Sequence, residues 1–161
     1  KAVMLQGILS NEAAVTRSKD FEEVLGLSMC NGITLEAVEV GSWQRSKGND
    51  IVTNWLSSGM EIDIVFANND EMGLGAVQAF KNAGISMDDI LIGSVDATAD
   101  ALASMAAGEL DVTVFQNAAG QATGGIDAAI AAINGESLPN SITIPFELVT
   151  PDNMADYMGA N

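Results

Sequence analysis

Arg17, Trp43, Asn69, Asp96 and Gln116 are the side chains best equipped to hold a small molecule. A guanidinium presents a fork of donors, and a carboxylate accepts several hydroxyl protons. The two amides each donate and accept, and an indole supplies an apolar face. The set holds no nucleophile with a base beside it. It complements a neutral polyhydroxylated molecule, with hydroxyls around its rim and C–H groups on its face. Taken singly, each residue has a plainer reading. Asn69, Asp70 and Asp96 can cap helices, for about 1 kcal/mol each; Arg17 can be a surface side chain, Gln116 a polar strand end and Trp43 a core residue.

What draws the five together is the order of elements that carries them. Ala2 to Ile8 reads as a first strand, followed by a helix from Asn11 in which Ala14, Phe21, Val24, Leu25 and Ser28 recur at helical spacing, with Asn11 as N-cap and Asn31-Gly32 as stop. Ile33 to Val40 alternates apolar and acidic residues, as a strand near a sheet edge does. A second helix buries Ile51, Val52, Trp55 and Leu56 and ends at Gly59. Ile62 to Ala67 is a central strand, and the chain then turns through Asn68-Asn69-Asp70 into a helix with Met72, Ala76, Val77, Phe80 and Ala83 inward.

Ile90 to Val95 is the fourth strand, ending at Asp96, and Ala97 to Ala107 the fourth helix, with Ala101, Leu102 and Met105 inward. Asp111 to Phe115 is the fifth strand, ending at Gln116. Ala119 to Asn134 has the cleanest apolar stripe in the chain, made of Ile126, Ala129, Ile130 and Ile133. Five strand-then-helix units predict a doubly wound, Rossmann-like parallel sheet flanked by helices. Right-handed crossovers put every strand-to-helix junction on one edge, where ligands of such sheets bind. Ile142 to Val149 is extended but broken by Pro145, so it is expected to leave the domain, and Pro151-Asp152-Asn153 starts a last short helix.

Composition removes several functions. With 22 acidic residues against 6 basic and a net charge of −16, nucleic acid and anionic membrane surfaces are poor partners. The single cysteine, Cys30, has no intrachain partner and reads as a packing residue; with no histidine in the chain, the commonest general base is missing. No apolar run reaches the roughly 20 residues that span a bilayer. Met72-Gly73-Leu74-Gly75 lacks the third glycine of a dinucleotide fingerprint and lies inside a helix, where close helix packing explains it better. Asp88 and Asp89 precede a strand, on the edge opposite the junctions, and read as a solvated turn. Neither a cofactor nor a metal site is indicated.

At these junctions the sequence resembles the periplasmic sugar-binding proteins of the ribose/galactose type, in their second, carboxyl-terminal domain. The matching pieces are Asn11 to Arg17 with Phe21, Ser42 to Gly48, Phe66 to Ala76, Ile92 to Asp96 and Gly108 to Asn117, in order through nearly the whole chain. The resemblance implies that Arg17, Asn69, Asp96 and Gln116 hydrogen-bond a sugar and that Trp43 stacks on it, Asp70 being left to cap the helix. It also implies a two-domain receptor, closing on its ligand by a hinge and serving the permease of an ABC importer in the bacterial periplasm, with a chemoreceptor as a further partner. On that likeness residues 1–141 form the sugar-binding domain, 142–161 a crossover segment and tail packing on a first domain, and the chain is half of a site. Ala13 stands where some members have a carboxylate, which leaves a pentose or a cyclic polyol such as inositol open beside a hexose. The alternative is the effector domain of a sugar-responsive repressor, and an enzyme on a similar sheet would need a phosphate-binding first junction that Gly7 alone does not supply.

Overall fold

A computed structural model describes residues 1–159. Strands and helices alternate as β1 (Ala2–Gln6), α1 (Glu12–Leu25), β2 (Leu35–Val40), α2 (Arg45–Ser57), β3 (Ile64–Ala67), α3 (Asp70–Asn82), β4 (Leu91–Gly93), α4 (Ala99–Ala106), β5 (Thr113–Gln116) and α5 (Ala118–Ile133), before a final strand β6 (Phe146–Val149). The first four strands are parallel in the order β2-β1-β3-β4. Parallel bridges Gly93–Val112 and Asp96–Phe115 continue the sheet to β5. The strand order therefore reverses between β1 and β3, which in open α/β sheets is where a ligand crevice forms. β2 lies at the edge and β3 in the interior, as their patterns predict.

The core lies under α2, α3 and α4. Val3, Leu5, Val65, Ala67 and Ile92 of the sheet meet Val52 and Trp55 of α2, Met72, Ala76 and Phe80 of α3, and Leu102 and Met105 of α4. The glycines of Met72-Gly73-Leu74-Gly75 do what close helix packing requires. A β-carbon on Gly75 would stand 2.2 Å from the carbonyl oxygen of Arg45, and one on Gly48 would stand 2.6 Å from that of Met72, so the α2 and α3 backbones touch.

Several expectations change once the elements are assembled. β3 begins at Ile64 rather than Ile62, and Asp63 just before it pairs its carboxylate with the terminal ammonium of Lys1. In α1 the buried residues are Ala14 and Ser18, while Val24 is 48% exposed. Asn11 occupies the N-cap position, yet its side chain makes no capping hydrogen bond. The stripe of α5 faces outward: none of its residues is buried, and Ile133 is 84% exposed.

The segment expected to leave the sheet instead extends it. Phe146–Val149 pairs antiparallel with β5, Val149 is fully buried, and Tyr157 packs its ring on Phe115 at 5.1 Å between centroids. Pro145 does not interrupt this strand because it stands just before it. Ala160 and Asn161, at the end of the expected tail, lie outside the described residues.

Candidate functional site

All five candidate residues sit on the carboxyl edge of the sheet, and Arg17 is the centre of the group. Its Nη1 donates to the carbonyl oxygen of Asn68 at 2.6 Å and lies 3.7 Å from Oδ1 of Asp96; its Nη2 donates to Oε1 of Gln116 at 2.9 Å. The guanidinium carbon is 5.8 Å from the ring centre of Trp43 and 5.9 Å from that of Phe146. A flat cation held edge-on by oxygens and flanked by two aromatic rings cannot swing freely.

Two stretches of strained backbone present the other groups. Ser42 and Trp43 have φ of 53° and 68°, and Asp96 and Ala97 have φ of 132° and 55°, all in the left-handed range that costs a residue with a β-carbon. Strain of this kind persists where the surroundings impose it, and such places gather at binding sites. The indole of Trp43 lies against Gly7, where a β-carbon would come within 2.2 Å of the ring. Gly7 is thus required by the aromatic side chain, not by its own turn.

Of the two residues that could cap α3, Asn69 does so and Asp70 does not. Asn69 is the N-cap of α3, with Oδ1 accepting from the Met72 N–H at 3.1 Å, while its Nδ2 donates to the Trp43 carbonyl at 3.4 Å. An amide has a second N–H, so capping and presentation to a ligand are compatible. Asp70 is no cap; it is fully buried and bonded to Ser94 just after β4, Thr98 at the N-cap of α4 and Thr113 of β5.

Asn68, unassigned by sequence reasoning, ties the switch point together. Its Oδ1 accepts from the Gly7 N–H at 3.1 Å and the Ser18 hydroxyl at 3.2 Å, joining the ends of β1 and β3 to α1 while its carbonyl holds Arg17. Phe146 was likewise overlooked, since it lies in the segment thought to depart. The one available signal was a fully polar residue, Asn68, closing an apolar strand.

Electrostatically the site is poised rather than saturated. Burial pushes the Asp96 carboxyl up to about 6, Arg17 opposes that rise, and Asp70 and Glu71 add to it. Burial also lowers the Arg17 guanidinium, against the pull of Asp96 and Asp70, and it stays cationic. Among the described residues no group of three or more histidine, cysteine, aspartate or glutamate side chains could hold a metal, and no helix is long and apolar enough to cross a membrane.

The family described as periplasmic binding protein domain matches residues 1–137. A protein of Rhizobium meliloti assigned to rhizopine binding is 55% identical over 161 residues, all of this chain and 52% of that protein. The ribose import binding protein of Escherichia coli is 30% identical over 149 residues, 92% of this chain and 49% of that protein. The chain therefore spans about half the length of the curated relatives it matches. Among solved structures, an ABC transporter solute-binding protein of Bacillus halodurans with bound myo-inositol superposes with a TM-score of 0.91 at 39% identity, covering 99% of this chain and 54% of that one.

Proposed function

Since the chain belongs to the periplasmic binding protein domain family, we propose that it is one lobe of a receptor that binds a sugar or cyclic polyol for an ABC importer, and that it is not an enzyme. The observation that carries this reading is the arrangement around Arg17. One guanidinium touches or faces Asp96, Gln116, the Asn68 carbonyl and Trp43, so donors, acceptors and an aromatic face converge on one half-open surface. In this reading Arg17, Asn69, Asp96 and Gln116 hydrogen-bond the ligand's hydroxyls, and Trp43 lies against its C–H face.

A second lobe would close over that surface. The ligand favours the closed state through the contacts it makes only there. Discrimination follows from burial: an analogue missing one hydroxyl leaves Asp96 or Arg17 desolvated and short of a partner. The division drawn from the sequence, a lobe over 1–141 with a crossover and tail over 142–161, is proposed with one adjustment. The outward stripe of α5 supports assigning that helix to contact with the second lobe, and the burial of Val149 supports keeping β6 with this one.

The relatives' names favour a periplasmic location and a permease partner, with a chemoreceptor as a finer proposal. The repressor-effector alternative draws no support from them. A thermal-shift and calorimetric panel of ribose, galactose, myo-inositol and rhizopine on the full-length protein tests the reading. Saturable binding of at least one is expected; binding of none overturns it.

A further inference from the structure

Asp70 is a fully buried carboxylate in a place where a helix cap is already supplied by Asn69. Removing such a charge from water costs several kcal/mol unless hydrogen bonds offset it. Three do. Oδ1 accepts from the hydroxyls of Ser94 at 2.5 Å and Thr113 at 2.7 Å, and Oδ2 accepts from the Thr98 N–H at 2.7 Å. Every partner is a donor, so the environment is built for the ionised form. Burial raises this carboxyl, and the same hydrogen bonds draw it back down.

Two of the donors flank Asp96, and the third holds the residue after it. Ser94 precedes Asp96 by two residues and Thr98 follows it by two. Thr113, while donating to Asp70, accepts the Ala97 N–H at 3.2 Å. The Asp70 N–H donates to the carbonyl of Val95 at 2.8 Å, and the Asp96 N–H reaches Val114 on β5 at the same distance. The network thus grips the backbone on both sides of the residues whose φ values of 132° and 55° are strained. Without restraint, an Asp-Ala pair would relax toward negative φ and carry the carboxylate away from Arg17.

We propose that Asp70 is a positioning residue for the ligand site, holding the Val95–Thr98 turn in the strained form that aims Asp96 at Arg17. The proposal rests on the reading of Asp96 as a ligand contact. Helix-dipole stabilisation by an acid in the first turn does not account for the arrangement, since an exposed carboxylate would supply it without the cost of burial.

The test uses the full-length protein and two variants, Asp70→Ala and the near-isosteric Thr113→Val, which removes only the hydroxyl that links Asp70 to Ala97. Affinity for whichever of ribose, galactose, myo-inositol or rhizopine binds the wild type tightest is read by calorimetry. Amide exchange at Ala97 and Thr98 is read against that of β1. Thr113→Val is expected to weaken binding about tenfold or more, to speed exchange at Ala97 and Thr98 and leave β1 unchanged, and to cause no further loss when added to Asp96→Ala. Wild-type affinity with wild-type exchange overturns the proposal, as does a loss fully additive with Asp96→Ala or a uniform rise in exchange. If the wild type binds none of the four, the functional reading falls, and the exchange pattern alone still decides whether Asp70 holds the turn.

Discussion

The two faces of the sheet are finished to different degrees. On one, α2 and α3 touch through glycines, and α4 closes the remaining surface over a core that includes the fully buried Phe80. On the other, α1 covers the start of the sheet and stacks Phe21 on Phe66 at 4.5 Å, but an open groove of about 740 Å³ remains between α1 and Phe66, Val114 and Phe146. Leu91 and Leu148 stay 56% and 60% exposed. Parallel sheets are ordinarily covered on both faces. The closed face is therefore what this chain completes by itself, and the open face and the outward α5 are left uncovered by its described residues. The site lies on the edge common to both.

Phe80→Ala should have the largest effect, about 3–5 kcal/mol of stability by urea unfolding, because the closed face has no room to collapse into the hole. A loss no greater than that of Phe146→Ala, on the open side, would erase the contrast between the faces. Asp96→Ala in the full-length protein should cost about 2–5 kcal/mol of sugar or polyol affinity by calorimetry, with little change in melting temperature. Unchanged affinity would remove Asp96 from the site.

The pH dependence of binding has a definite sign. Folding raises the Asp96 carboxyl from 3.8 to about 6, so the free folded protein holds that proton more tightly than the unfolded chain does. Its contribution to stability is therefore present below about 4 and lost as pH rises through about 6. If Asp96 accepts ligand hydroxyls as proposed, it does so in its ionised form, and affinity should fall by up to about tenfold per pH unit below 6. Asp96→Asn should bind weakly with a flat profile; an equally sloping profile in that variant would assign the titration elsewhere.

Ile130→Ser should change the stability of the 161-residue chain least, by about 0.5 kcal/mol or less, because the side chain is already 52% exposed. The same substitution in the full-length protein should cost more. Equal effects in the two would separate α5 from any cover supplied by the remainder.

Much of this organisation was legible in the residues themselves. Strand-then-helix alternation, the edge position of β2, the buried stripes of α2 and α4 and the glycine contact of α3 follow from periodicity and residue type, which act locally. The convergence of Arg17, Trp43, Asn69, Asp96 and Gln116 followed from topology, because parallel strands with right-handed crossovers leave all such junctions on one edge. The α5 stripe was legible, but not its exposure, because periodicity reports that a helix has an apolar face and not what covers it. β6 was misread because a proline just before a strand looks, in one dimension, like a proline within it.

By itself the sequence determined the fold class, the edge that gathers the five candidate side chains and the residue types available there, since each depends on the order of near neighbours. Tertiary structure alone decided which of two adjacent residues caps α3 and which is buried: Asn69 closes the helix, and Asp70 answers to Ser94, Thr98 and Thr113. Those donors come from positions 24 to 43 residues away, brought to one carboxylate by sheet register. No local pattern encodes that meeting, because a hydrogen bond depends on where two groups end up in space.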